Sequence, residues 1–234
     1  MITEAIVLAG GLGTRLKTVV SDLPKSLAPV AGKPFLSHLL QFAKKEGIQK
    51  FIFALGYKSE QIVSFAEENL PFGTYSFSIE AQPLGTGGAI YKAAEHVTGD
   101  LAIVLNADTF FGVDFTDLAI LHEELQAECT LALKPMQDFD RYGVVEIDAN
   151  KMVTGFSEKK HRERGLINGG VYALRVESFL KKKFPNLFSF EKDYLEKEYQ
   201  QKKIYGMRSD AYFIDIGMPA DYQRAQKELI QHIH

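Results

Sequence analysis

The chain has 234 residues, 46% of them apolar, enough for one packed domain with a sizeable core, and its formal net charge of -3 leaves no dominant basic face for nucleic acid. A single cysteine, Cys129, excludes an internal disulfide, and no apolar run is long enough for a membrane span or a secretion signal, since Glu4 stands early in a short first run. The cytoplasm is the expected compartment, and the composition leaves a homo-oligomer open.

The first element is the run Ala5-Ile6-Val7-Leu8, a strand that delivers its end to the glycine-rich turn Ala9-Gly10-Gly11-Leu12-Gly13-Thr14-Arg15-Leu16. Without Cβ atoms, Gly10, Gly11 and Gly13 let backbone N–H groups approach phosphate oxygens, and Arg15 adds a charged fork suited to the same oxygens. The stretch is not a P-loop, which ends in Gly-Lys-Ser/Thr, and G-x-G-x-x-G does not fit over Gly11, Gly13 and Leu16. On spacing alone, a tight turn competes with a phosphate site.

Leu36, Leu39, Leu40 and Ala43 then recur at helical spacing, flanked by Phe35 and Phe42, with Gly47 as the stop signal. Phe51-Ile52-Phe53-Ala54-Leu55 reads as a buried strand, and Ser59 opens a helix carrying Ile62, Val63, Phe65 and Ala66, its hydroxyl placed to cap it. A strand over Tyr75 to Ile79 precedes a third helix, expected after Gly88. Leu101 to Leu105 is another buried strand, ending at Asp108. This alternation predicts an α/β fold with helices on both faces of a mostly parallel sheet, whose strand ends gather ligands.

From Thr130 to Leu174 the pattern changes to strands and turns, which extend the sheet and wall a second pocket. Within it, His161 to Arg164 reads as a solvated loop. Cys129 and the helix-borne His38 and His122 read as packing residues. Further helices are expected over Val176 to Phe184, Phe190 to Gln200, and from Pro219 to near the terminus.

A second block, Leu23-Pro24-Lys25-Ser26-Leu27-Ala28-Pro29-Val30-Ala31-Gly32-Lys33-Pro34, changes the reading of the first turn. Together the two blocks resemble the signature of the sugar nucleotidyltransferases, the nucleoside-diphosphate-sugar pyrophosphorylases. Glu80-Ala81-Gln82-Pro83-Leu84-Gly85-Thr86-Gly87-Gly88-Ala89, Asn106-Ala107-Asp108, Glu158-Lys159, Asn168-Gly169-Gly170-Val171-Tyr172 and Asp215-Ile216-Gly217 continue the resemblance in order over nearly the whole chain. Asp140-Arg141-Tyr142-Gly143-Val144-Val145, Gly165 to Gly170 and Tyr212 to Gly217 are most similar to the branch that guanylylates D-glycero-D-manno-heptose 1-phosphate. The resemblance implies a three-layer α/β/α Rossmann-like nucleotidyltransferase fold with a mostly parallel mixed central sheet. One domain over 1–234 follows, with 1–128 mainly the nucleotide half and 129–234 mainly the sugar-phosphate half. The hexapeptide β-helix that many longer members carry is not expected.

The implied reaction is attack by a sugar 1-phosphate oxygen on the α-phosphorus of GTP, which releases pyrophosphate. The nucleophile is already ionised, since the second pKa of a phosphate monoester is about 6, so no general base is needed. The resemblance assigns the nucleotide to Leu8, Ala9, Gly10, Gly11, Gly13, Thr14, Arg15, Lys25, Glu80, Pro83, Gly85, Thr86, Gly87, Asn106 and Asp108. Arg15 and Lys25 are the catalytic cations, on the leaving phosphates and the α-phosphate. Asp108 and Asp215, each ending an apolar run, would hold Mg²⁺, which takes one or two carboxylates together with phosphate oxygens and water. The family usually has glycine where Ala107 stands; its methyl leaves the carboxylate available. Gly143, Glu158, Lys159, Asn168 and Gly169 are implied on the sugar-phosphate side, although Asn168-Gly169-Gly170 is also a turn signal.

Glu80 adds an argument about the base. An ionised carboxylate only accepts, and guanine presents two adjacent donors where uracil presents a mixed edge. The competing reading sends Glu80 to water and makes Gln82 the base reader. Mannose 1-phosphate guanylyltransferase, N-acetylmuramic acid 1-phosphate uridylyltransferase and a silent nucleotide-sugar sensor remain as alternative functions.

Overall fold

Residues 2–11, 23–201 and 203–233 are described by the computed structural model of the chain. β1 (Glu4–Leu8) is followed, after the short hairpin of β2 (Pro29–Val30) and β3 (Lys33–Pro34), by α1 (Phe35–Lys45), β4 (Lys50–Leu55), α2 (Ser59–Asn69), β5 (Tyr75–Ile79), α3 (Gly85–Ala94) and β6 (Leu101–Asn106). β7 (Thr109–Phe111) and α4 (Phe115–Glu124) lead to β8 (Cys129–Phe139), β9 (Val144–Ile147), β10 (Val153–Ser157), β11 (Arg162–Arg175) and α5 (Val176–Leu180). A π-helical stretch, Phe190–Leu195, runs into α6 (Glu196–Glu198), then β12 (Ile204–Arg208), β13 (Phe213–Asp215) and α7 (Pro219–Glu228).

The central sheet runs β10-β9-β11-β6-β1-β4-β5, with β8 beside β11 and β12 beside β8. Its first half is parallel (β5, β4, β1, β6), as the continuous apolar runs require of strands buried on both faces. β11 then turns the sheet antiparallel by pairing with β6, β8 and β9. Alternation along each strand separates two cores. Ala5, Val7, Phe51, Phe53, Ile103 and Leu105 pack with α1, α2 and α7 on one side. Ile6, Ile52, Ala54, Ala102, Val104 and Tyr172 pack with α3, α5 and the π-helical stretch on the other. This is the expected three-layer arrangement.

Local differences from the sequence reading have physical causes. Ser59 is the first helical residue of α2 rather than its cap: Lys58 occupies the cap position in the left-handed region, with φ +57° and no side-chain cap. α3 starts at Gly85, not after Gly88, because Gly87 and Gly88 are there for close packing: a Cβ on Gly88 would lie 2.9 Å from the Asn186 carbonyl oxygen, and one on Gly87 would overlap the Phe188 ring. Arg162 to Arg164 are not a loop. They continue β11 alongside Gln137 to Phe139, where the backbone ladder, not burial, holds charged residues in a strand. Asn168-Gly169-Gly170 is likewise not a turn but an irregularity inside β11, where the register against β8 shifts between Asn168 and Tyr172. The helix begun at Val176 stops at Leu180.

The packing assignments hold. Cys129 is fully buried at the start of β8, and burial pushes its thiol far above the ordinary range. His38 Nε2 bonds the Val30 carbonyl at 2.8 Å, and His122 Nδ1 meets Thr130 Oγ1 at 3.0 Å. Among the described residues, no helix is long and apolar enough to cross a membrane.

Candidate active site

The parallel strands end together around a cavity of about 580 Å³, in the range of small-molecule sites. Leu8, Ala9, Gly10 and Gly11 leave β1 along its floor, between Ala54 and Leu55 of β4 and Asn106, Ala107 and Asp108 after β6. Gly10 is required here because a Cβ would stand 2.9 Å from the Gly56 nitrogen. Glu80, Pro83, Gly85, Thr86 and Ala89 form one wall; Lys25, Ser26, Asp215 and Gly217 close the polar end. Every described residue expected on the nucleotide therefore lines this cavity except Gly87, whose N–H donates to the Phe188 carbonyl at 3.0 Å. Gly13, Thr14 and Arg15 lie outside the described residues.

Lys25 sits in a short 3-10 turn, Lys25–Leu27, braced by Leu27 N–H to the Pro24 carbonyl at 2.8 Å. Its ammonium donates to Asp108 Oδ2 at 2.6 Å and to Asp215 Oδ1 at 3.5 Å. Residues 25, 108 and 215 thus meet at one point, although Asp108 leaves β6 and Asp215 ends β13 in a separate ribbon with β7. Ile216 N–H to the Asp108 carbonyl (3.0 Å) ties these two strand ends together. Gly217 makes room, since a Cβ there would be 2.6 Å from the Lys25 nitrogen, and its N–H donates to Asp215 Oδ1 at 2.7 Å. Among the described residues, no group of three or more His, Cys, Asp or Glu side chains gathers for a metal; the acidic cluster here is this pair.

Helix α7 holds both sides of the polar end. Tyr222 and Gln226 donate to the Pro29 carbonyl at 2.5 and 2.8 Å, and Gln226 accepts from Ala31 N–H at 2.9 Å, which fixes the segment after Lys25. Arg141 pairs with the buried Asp221 at 2.7 Å. Next to it, burial and then the charge of Asp215 push the Tyr142 phenol above its usual range, so it stays protonated beside that carboxylate. Nothing in the sequence reading singled out Tyr142, Asp221 or Gln226 individually, because each acts through a contact with a distant segment.

Glu80 faces the cavity rather than open water. Its Oε2 accepts from Leu84 N–H at 3.0 Å, and its other oxygen lies over Gly56, where any Cβ would collide with it. The sugar-side set lies apart: none of Gly143, Glu158, Lys159, Asn168 and Gly169 lines the cavity. Glu158 and Lys159 are exposed after β10, with Glu158 4.0 Å from Lys192. Asn168 donates to the Tyr172 hydroxyl at 2.8 Å and accepts from Gly170 N–H at 3.1 Å. Gly169 packs under Phe111, and Gly170, with φ +72°, packs over Asn106.

Comparisons with known proteins show what the chain and its fold are similar to. The profile described as "Nucleotidyl transferase" matches residues 4–232. The chain is 48% identical over 230 residues to a D-glycero-alpha-D-manno-heptose 1-phosphate guanylyltransferase of Aneurinibacillus thermoaerophilus, covering 98% of this chain and 100% of that one. A protein of the same description from Campylobacter jejuni is 43% identical over 219 residues, 94% of this chain and 96% of the other. Among solved structures, HddC from Yersinia pseudotuberculosis complexed with GMP-PN superposes with a TM-score of 0.84 at 35% identity, over 97% of this chain and 99% of that chain.

Proposed function

The chain belongs to the nucleotidyl transferase family, and we propose that it transfers GMP from GTP to D-glycero-alpha-D-manno-heptose 1-phosphate, forming GDP-heptose and pyrophosphate. The observation that carries this reading is the convergence of Lys25, Asp108 and Asp215 at the polar end of a cavity whose wall carries Glu80. Residues 1–128 serve mainly the nucleotide and 129–234 mainly the sugar phosphate. The reaction is placed in the cytoplasm, where GTP is available.

The triphosphate lies along the floor, with the backbone of Gly10 and Gly11 toward its phosphates and the base against Glu80 and Pro83. A sugar-phosphate oxygen forms a bond to the α-phosphorus; the bond from that phosphorus to the bridging β-oxygen breaks, and pyrophosphate leaves with the electron pair. No proton is moved, and among the described residues no histidine lines the cavity. Lys25 balances the charge that builds on the α-phosphoryl oxygens, held in aim by the proline-flanked turn and by α7. Arg15 is assigned to the leaving phosphates.

Sugar nucleotidyltransferases generally use a divalent metal, and Mg²⁺ suits Asp108 and Asp215: both present hard oxygens to one point that already attracts a cation. When bound, the ion supplies further neutralisation of the phosphate charge. On the sugar side, Lys159 is assigned the 1-phosphate, and Glu158 and Asn168 the hydroxyls. Asn168 still has one free N–H for this after its bond to Tyr172. At Gly143 and Gly169 the missing side chain makes room for the Ser157 carbonyl and the Phe111 ring, so these glycines shape the sugar side by packing and not by admitting the ring. A silent sensor is disfavoured, since base recognition alone requires neither Lys25 nor the acidic pair.

The test is pyrophosphate release with GTP, ATP, UTP and CTP crossed with heptose, mannose, glucose and N-acetylmuramic acid 1-phosphates. Fastest turnover with GTP and the heptose supports the proposal; faster turnover with mannose 1-phosphate, or equal use of UTP, refutes the corresponding half.

A further inference from the structure

The base wall contains three glycines in four positions, Gly85, Gly87 and Gly88, and Gly85 adopts φ +72°. With Thr86 they make up the first turn of α3, and that turn has little stiffness of its own, because glycine samples more backbone conformations than any other residue and weakens a helix. A distant segment, 186–191, supplies what it lacks. Phe188 N–H donates to the Leu84 carbonyl and Gly87 N–H donates to the Phe188 carbonyl, both at 3.0 Å, a two-bond bracket across the loop. The Phe188 ring fills the space that a side chain at Gly87 would need, and stacks on Phe184 with centroids 4.3 Å apart and planes at 10°.

Thr86 completes the bracket. Its hydroxyl accepts from Phe190 N–H and donates to Glu191 Oε2, both at 2.9 Å, while Ser189 Oγ steadies the same carboxylate at 3.1 Å. Thr86 lines the cavity, yet its one O–H is spent on Glu191. With Leu84 N–H held by Glu80, that N–H, the Leu84 carbonyl, the Thr86 hydroxyl and the Gly87 N–H are committed before any ligand arrives.

We propose that the 186–191 strap determines nucleotide affinity by holding Leu84 and the glycine-rich first turn of α3 in their binding form, with Phe188 and Glu191 as positioning residues that do not touch the nucleotide. Binding to a loop already in place avoids the ordering cost that a free loop would impose. This rests on the reading above that the base sits against Glu80 and Pro83. The strap belongs to the sugar-side half of the sequence, so the second half of the chain also shapes the nucleotide's pocket.

The experiment compares Glu191→Ala, Glu191→Gln and Phe188→Leu with the unmodified enzyme. It measures calorimetric binding of a GTP analogue with a methylene between the α and β phosphorus, together with KM and kcat for both substrates. Glu191→Ala should bind the analogue about fivefold more weakly and Phe188→Leu about tenfold, the scale of one or two lost bracing contacts. KM for GTP should rise in parallel, with kcat and the KM for the heptose phosphate within about twofold of the unmodified enzyme. Glu191→Gln, which can still accept from Thr86, should restore binding. Unchanged analogue affinity in Glu191→Ala, a sugar KM that rises as much as the GTP KM, or no rescue by Gln overturns the strap's role. Because Phe188 is buried, Glu191→Ala decides the matter if Phe188→Leu does not fold. A lack of GTP preference in the unmodified enzyme is a different failure, that of the underlying base assignment.

Discussion

Acidification should unfold this protein partly through one residue, His122. Its ring is fully buried on α4, Nδ1 meets Thr130, and Nε2 has no hydrogen-bond partner among the described residues. Burial first, and then the nearby Arg175 guanidinium, push its pKa down to about 4, against an ordinary 6.5. The neutral ring is therefore what folding selects, and the unfolded chain binds the proton more readily. Stability from this group is intact above pH 6.5 and is lost as pH falls toward 4. Between pH 7 and 5 the loss is about 2 kcal/mol, from 1.36 kcal/mol per pK unit and near-complete protonation of the unfolded chain alone. Urea unfolding followed by far-UV circular dichroism suits a chain without tryptophan. His122→Gln, neutral at every pH, should flatten the stability profile over that interval by about the same 2 kcal/mol, whatever it costs at pH 7. Carboxylates such as Glu4, held below the ordinary range in the fold, lose their contribution only at more acid pH and in both proteins alike. Identical pH slopes for the two proteins would refute the argument.

Three further outcomes concern the site. Lys25→Ala, Asp108→Asn and Asp215→Asn should each lower turnover at least about a hundredfold, and a chelator should abolish pyrophosphate release; near-normal rates in chelator would remove the metal assignment. Lys159→Ala should raise the KM for the sugar 1-phosphate well above any change for GTP, and equal changes in steady-state assays would place the residue in the wrong pocket. Glu80→Gln retains an oxygen for Leu84 N–H but loses the all-acceptor edge, so GTP should lose its advantage over UTP in competition assays. An unchanged preference would move base reading to another residue such as Gln82.

The parallel half of the fold was legible because apolar runs of five or six residues alternate with one-sided helices such as Leu36, Leu39, Leu40 and Ala43. Glycine misled where it does packing work. Gly87 and Gly88 read as a preface to a helix, yet they lie within it because Phe188 and Asn186 press against them. Charge misled at Arg162 to Arg164, since the backbone ladder with Gln137 to Phe139 of β8 holds them in a strand without an apolar face. The nucleotide set was visible as motifs at strand ends. The residues that aim it (Tyr142, Asp221, Gln226, Phe188, Glu191) were not, because their partners lie 71 (Tyr142 to Phe213) to 197 (Gln226 to Pro29) residues away and local patterns carry no trace of them.

The pairing of Lys25 with Asp215 spans 190 residues, and the bonds from Gln226 to Pro29 and Ala31 span 197 and 195. During synthesis the strands β1, β4, β5 and β6 emerge within about the first half of the chain, although a domain folds as a unit. The residues of the cavity floor are then present, but the charged end is not. Lys25 has no second carboxylate until β13 arrives, and its turn has no anchor until α7 docks. A nascent or C-terminally truncated chain can thus carry the nucleotide floor and Lys25 itself, but without the second carboxylate and the helix that hold Lys25 in aim.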